Sequence, residues 1–377
     1  MNCCDERITG GRSGRGAGLR PGSRLMRGAC TALCVLCSSL FFFSCAGPDG
    51  RGKATAPVPF TAQDPFLRAS TPVPAESRTS PAQNDLATVC IPTDIARFGE
   101  TWFIVDCYHD RVIFHDNLTD PLTEWKRLPG EMKHPHTIAS DGTVYLIDDT
   151  DNNRVLVYEK EGADFFLTQY FEEIGDHPHD IVYDAVSETF YVWSSMNGEM
   201  YLFRRDAAAG GLYLTEVKTV DALKNTYVRS FSFDHEARTL TFVSGVPAPG
   251  ADASAFTPEI VICDADSFEI KERISVPEEI AGMAQIVPLP VGFLITVSTD
   301  RHGDQSVSDI LFAESLQDLT EGRFTRLYRD HFPGDGTPYR FREIDGTLYL
   351  CDHRPGDGSI WRLTFAGGAP GDITLVY

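Results

Sequence analysis

Two histidines flank a proline twice in this chain, as His134-Pro135-His136 and His177-Pro178-His179, 43 residues apart. An imidazole exchanges protons near neutral pH and offers a lone pair to a ligand. Two such steps at one repeat distance can bring His136 and His179 to one space. Arg229 and Arg340 fall at the corresponding places further along the chain. Two guanidinium groups there would receive a carboxylate, or would pair with nearby Asp and Glu. His109 and His353 sit in loops that reach the same neighbourhood, and complete the candidate ligand-binding set. The competing reading is a set of histidines that cap strands and meet solvent. No G-x-S-x-G elbow, P-loop or H-E-x-x-H occurs, so nothing reads as a nucleophile. Asp149-Thr150-Asp151-Asn152-Asn153 begins like a calcium loop, but Arg154 takes the glycine position and Lys160 that of the closing glutamate. An Asp and an Arg bracing a turn is the better reading.

The elements that must position these side chains repeat. Residues 93–116 align without a gap on 136–159: Ile95 falls on Ile138, Gly99 on Gly142, Ile104 on Ile147, Asp106 on Asp149, Arg111 on Arg154 and Val112 on Val155. A fixed period near 40, with short β-rich runs and Gly turns, means propeller blades or a solenoid. A third copy begins at His179-Asp180-Ile181, and weaker ones near Arg229, Ala284 and Arg340. Six starts predict an all-β, six-bladed β-propeller of four-stranded antiparallel blades. Its ring is expected to close with residues 86–91 as the outer strand of the last blade, with 372–377 as the alternative. Thr93, His136, His179, Arg229, Ala284 and Arg340 then align at the mouth of the central channel. Eight of the ten histidines map to this top face, which the Pro-rich run from Ser244 to Glu259 overhangs.

The first two copies resemble the NHL repeat, in Asp149 with Asn152, Asn153 and Arg154, and in Asp106 with Asp110 and Arg111. Blade three departs, with Ser195 and Met200 at those places, and blades four and five lack the signature. The resemblance implies an interaction platform. The two His-Pro-His steps are also similar to the peptidylglycine amidating lyase branch of NHL propellers, in which histidines of separate blades hold a catalytic zinc. That likeness would make His136 and His179 zinc ligands, with a third supplied only if His353 or His109 swings in. Two readings result: a binding module for a protein, peptide or glycan, and a metal-dependent lyase or hydrolase.

The N-terminus reads as an address. Residues 1–44 carry six arginines against Asp5 and Glu6, although the whole chain has a formal net charge of −21. So acidic a remainder repels phosphate backbones, which argues against nucleic acid as a partner. From Met26, a plausible true start, a charged residue leads into an apolar stretch and then a small residue before cysteine, which is signal-peptide grammar. Phe42-Phe43-Ser44-Cys45 resembles the lipobox of bacterial lipoproteins, in the relaxed form familiar from spirochaetes, and implies lipid attachment at Cys45. Ala46 then implies export to an outer membrane. Residues 45–85, rich in Pro, Ser and Ala, read as a flexible tether, and 86–377 as the propeller, expected to be a monomer. Six of the ten cysteines precede residue 46. The remaining four lack zinc or disulfide spacing and are expected as buried thiols.

Overall fold

A computed structural model describes residues 68–377, apart from 207–209, 244, 253–255, 334–335 and 355–357. The leader, Cys45 and the first part of the expected tether lie outside the described residues. Strands form where β-branched and aromatic residues run between turn residues. In the second blade Pro135–Ser140, Val144–Asp149, Arg154–Glu161 and Asp164–Phe171 make an antiparallel meander. Its first turn is set by Asp141, whose Oδ1 accepts from the N–H of Thr143 and of Val144, both at 2.8 Å. The pattern recurs over residues 92–127, 178–219, 231–275, 282–326 and 337–375, giving the six expected blades. Cys90, Cys107, Cys263 and Cys351 are buried thiols, as anticipated.

The core lies between blades. Both faces of a blade are covered by neighbours, so strands such as Thr101–Asp106 are buried almost throughout. Phe103 and Phe114 of blade one meet Tyr145 and Phe165 of blade two, with Phe165 edge-on to Phe103 at 5.1 Å and to Tyr145 at 4.9 Å. Closer to the channel, polar clasps join successive blades. Thr93 Oγ1 donates to Pro135 O at 3.2 Å, Thr150 Oγ1 to Pro178 O at 2.7 Å, Ser230 Oγ to Ala284 O at 2.6 Å and Thr296 Oγ1 to Tyr339 O at 2.7 Å.

The ring closes differently from the expectation. Ala369–Leu375 is the outer strand of blade six, paired with Ile360–Ala366, so residues 86–91 do not supply it. The reason is local. Gly367 and Gly368 both have positive φ, 60° and 81°, the geometry of a two-residue hairpin whose twist suits the flanking strands. So short a loop costs little closure entropy beside a strand recruited from the far end of the chain. The seam between blades six and one is sealed by side chains. The Tyr377 ring meets Trp125 edge-on at 6.0 Å, its hydroxyl faces the Leu118 and Asp120 carbonyls, and Trp102 meets Tyr349 at 5.5 Å.

The end of the expected tether is attached to the ring. Arg68–Ala69 pairs with the outer strand of blade three, Thr71–Pro72 with that of blade two, and Ala82–Gln83 with that of blade one. These three blades are therefore five-stranded, and residues 68–83 form a strap that runs backwards through the blade order. An unpaired outer edge is a template for other strands, and the strap covers three of them.

Candidate functional site

Blades one to three begin with a residue in left-handed backbone before a proline: Ile91 (φ 53°), His134 (φ 46°) and His177 (φ 59°). Such a conformation costs a non-glycine residue about 1–3 kcal/mol and needs outside support. The preceding blade provides it. The His134 N–H donates to Asp110 Oδ1 at 2.9 Å, and the His177 N–H to Asn153 Oδ1 at 2.8 Å. Asp110 and Asn153 themselves end the short turns Cys107–His109 and Thr150–Asn152 with φ of 53° and 51°. The turns are braced as the sequence suggested, since Arg111 Nε donates to Asp106 Oδ2 at 2.7 Å and Arg154 to Asp149. In blade three the matching positions are Ser194 and Glu199, one residue before Ser195 and Met200.

This bracing divides each His-Pro-His step. The first histidines turn outwards to acids: His134 Nδ1 lies 2.7 Å from Asp151 Oδ2, and His177 Nδ1 2.6 Å from Asp176 Oδ1. The second histidines meet each other. The His136 and His179 rings stack with centroids 3.8 Å apart and 29° between planes. The Thr150 hydroxyl spends its one proton on Pro178 O, so it accepts from His136 Nδ1 at 2.8 Å. His136 therefore carries its proton on Nδ1 and leaves the Nε2 lone pair towards Cys107 Sγ, 3.9 Å away. Around His179 stand the Tyr227 hydroxyl, 3.2 Å from Nε2, and the Tyr339 hydroxyl, 3.3 Å from Nε2. His353 stacks on the Tyr339 ring at 3.9 Å.

The pairing of strands corrects the alignment of blade six by one residue. Pro338 pairs with Asp352 as Pro92 does with Asp106, Pro135 with Asp149 and Pro178 with Ser194. The mouth residue of blade six is thus Tyr339, and Arg340 belongs one position deeper, level with Asp94 and Asp180. A one-residue slip turns a strand side chain to a different surface. Arg340 is buried there, with Nη2 2.8 Å from Asp180 Oδ1 and Nε 3.5 Å from Asp94 Oδ1. Arg342 also reaches Asp94. Of the two arginines read from the sequence, only Arg229 is left at the mouth. Its guanidinium lies over the Tyr227 ring at 4.5 Å. His109 is not brought to this group, because its Nδ1 is held 2.8 Å from Asp106 Oδ2 in the braced turn.

Burial makes the mouth imidazoles poor bases. It drives His136 down to about 3 and His179 and His353 well below the usual histidine range, with the Arg229 charge adding to each shift. Burial likewise raises the Tyr339 hydroxyl well above its ordinary value. Beneath the mouth, burial lifts the Asp148 carboxyl to about 7, against the opposing hydrogen bonds from Thr137 and from the His136 N–H.

The zinc implied by the lyase resemblance does not fit these residues. Imidazole lone pairs lie in the ring plane, so two stacked rings do not aim theirs at one ion about 2.0–2.1 Å from each nitrogen. Among the described residues, no three His, Cys, Asp or Glu side chains gather to hold a metal ion. Tyr339, Tyr227, Cys107 and Thr150 are mouth residues that the sequence reading missed. For Tyr339 the signal was present, since Thr337-Pro338-Tyr339 repeats the x-Pro-x step of the first three blades.

No family model and no curated protein matches the chain. Solved structures are similar to it. Hydrazine synthase from Kuenenia stuttgartiensis matches with a TM-score of 0.50 at 16% identity, over 75% of this chain and 78% of that one. A Bacteroides fragilis protein provisionally described as a 6-phosphogluconolactonase matches with a TM-score of 0.50 at 12% identity, over 76% and 83%. At such identities the likeness is one of propeller fold.

The two arginines should behave oppositely on substitution. Arg340→Met leaves buried Asp180 without its cation, and Asp94 with Arg342 alone, and is expected to cost about 3–5 kcal/mol in urea unfolding. Arg229→Met is expected to cost less than about 1 kcal/mol, since no acid loses its partner.

Acid sensitivity should follow from the depressed histidines. Between about pH 3 and the ordinary histidine value near 6.5, the unfolded chain binds protons that the folded mouth refuses, so stability falls as pH drops through that window. Asp148 works in the opposite sense, because its fold-held proton favours the native state below about pH 7. The urea midpoint should therefore decline from pH 7 to 4.5, less steeply in His136→Gln/His179→Gln and more steeply in Asp148→Asn. A flat wild-type profile would contradict neutral buried imidazoles.

Proposed function

We propose that this propeller is a lipid-tethered binding module whose channel mouth receives a protein, peptide or glycan ligand. The observation that carries this reading is the mouth itself: neutral rings, two tyrosine hydroxyls and a guanidinium, gathered from blades two, three, four and six and held by inter-blade clasps. Recognition needs such fixed polar groups in a mostly ring-lined recess. Hydrolysis or elimination would need an accessible base near neutral pH; the mouth histidines are held far below it, and Asp148, whose carboxyl is lifted to about 7, is fully buried beneath the mouth. Beside the mouth, Val246–Pro247 of the long blade-four loop pairs with Thr226–Tyr227. Thr226, Pro247, Phe256 and Arg273 line a cleft of about 380 Å³ that would extend the surface offered to a ligand.

Peptide and glycan arrays probed with the purified chain test this reading. We expect a bound set that loses at least about tenfold in affinity in His136→Ala and in Tyr339→Phe, as removing a central polar contact does. Binding indifferent to both substitutions would place recognition elsewhere.

The tether is part of the same proposal. Cys45 is the attachment site, and the location is the outer membrane of a bacterial envelope. Cys45→Ser is expected to move the protein from the detergent phase to the aqueous phase in phase separation. Detergent partitioning that survives the change would remove Cys45 as the anchor.

A further inference from the structure

We propose that the mouth is a carboxylate subsite, in which Arg229 is the anchoring cation and His353 the neighbouring neutral hydrogen-bonding group. This rests on the binding reading above and names the chemistry of the ligand.

The argument starts from the charges along the channel. Arg340 and Arg342 are matched to Asp94 and Asp180. Asp148 accepts hydrogen bonds from the His136 N–H at 2.6 Å and the Thr137 N–H at 2.9 Å, and it pairs with no arginine among the described residues. Arg229 is left over. It makes no ion pair with a described residue, and its Nη1 is shut off from solvent with no hydrogen-bond partner. Leaving a charged donor in that state costs more than a neutral one, and a chain of net charge −21 has acids to spare. Its guanidinium is also held in place. The Tyr227 ring supports it at 4.5 Å, and the Tyr227 hydroxyl is fixed on His179. The root of the blade-four loop fixes Tyr227 in turn. A Cβ at Gly245 would lie 1.8 Å from the Tyr227 carbonyl, so only glycine lets the loop close there.

His353 provides the second observation. Its Nε2 is likewise shut off from solvent without a partner, while its ring is pinned on Tyr339. Between Arg229 and Tyr339 in the ring of mouth residues stands Ala284, whose side chain ends at Cβ. Ala284 thus puts no polar group beside the orphaned Arg229 Nη1, while the Arg229 charge acts on the His353 ring across the mouth. A single cation with neutral donors matches one negative charge, and a planar guanidinium fork matches a carboxylate. A phosphate dianion would call for further cations that the mouth lacks. The carboxylate has two possible sources, the C-terminus of a peptide or a uronic acid of a glycan.

Titration calorimetry on the full chain separates them. One arm compares N-acetyl tripeptide acids with their C-terminal amides. The other compares oligogalacturonate with neutral oligogalactose. We expect one acid arm to bind, its neutral counterpart to bind at least about tenfold more weakly, and Arg229→Met to erase that preference with an unchanged unfolding midpoint. Arg229→Lys should restore part of it, since the charge returns without the fork. Equal affinity for acid and neutral probes, both weakened by Tyr339→Phe, would overturn the carboxylate assignment and leave the binding module standing. A preference for acids that survives Arg229→Met would move the subsite away from the mouth. Absence of any binding sensitive to the mouth substitutions in either arm would overturn both readings.

Discussion

The rest of the channel is arranged around one buried cation. Arg340 enters from blade six and contacts Asp94 of blade one and Asp180 of blade three. Both carboxylates are fully buried, and each also faces a backbone N–H of the following blade: Asp94 that of Ile138 at 3.4 Å, Asp180 that of Phe231 at 3.1 Å. Gln285 exchanges two hydrogen bonds with Phe341 in the same way. Desolvating these charges is expensive, and the attraction between them offsets it only when every lone pair and proton is engaged. The cluster therefore does less for net stability than for geometry: it fixes how blades one, three and six approach the axis. It also decides which arginine remains at the mouth.

The mouth inherits its chemistry from that arrangement. A carboxylate at the level of Arg229 would have neutralised it, and all the channel acids stand one layer deeper or outside the ring. The imidazoles above them are kept neutral by burial and by the arginine itself, so the positive charge at the mouth stays on a single group. Stacking of His136 on His179 and of Tyr339 on His353 removes side-chain freedom before any ligand arrives, which lowers the ordering cost of binding.

Much of this was legible in the sequence, and its limits have physical causes. Blades one and two share loop lengths, so Ile95 and Ile138, or Asp106 and Asp149, stayed in register and exposed the repeat. The turn braces and the pairing of His136 with His179 followed from that register. Blade six was aligned on Arg340 rather than on Pro338, and a single residue of slip hid Tyr339 and put Arg340 at the mouth. The closing hairpin was signalled by Gly367-Gly368, but two plausible outer strands competed for one edge. The strap left almost no trace. It is held through backbone pairing of two-residue strands, and backbone pairing does not require any particular side chains, so its Pro- and Ser-rich composition read as linker.

That strap also determines how the domain would bear a load. Tension applied from the N-terminal side of Arg68 enters at the rim of blade three, where two residues are paired, and reaches blades two and one only in turn. Each step would peel a short ladder from its end, bond by bond, whereas the strands of the blades themselves stay out of the line of force. A pulled molecule would lengthen by paying out chain from its rim, and the channel and its mouth would keep their shape until the last pair, at Ala82 and Gln83, had let go.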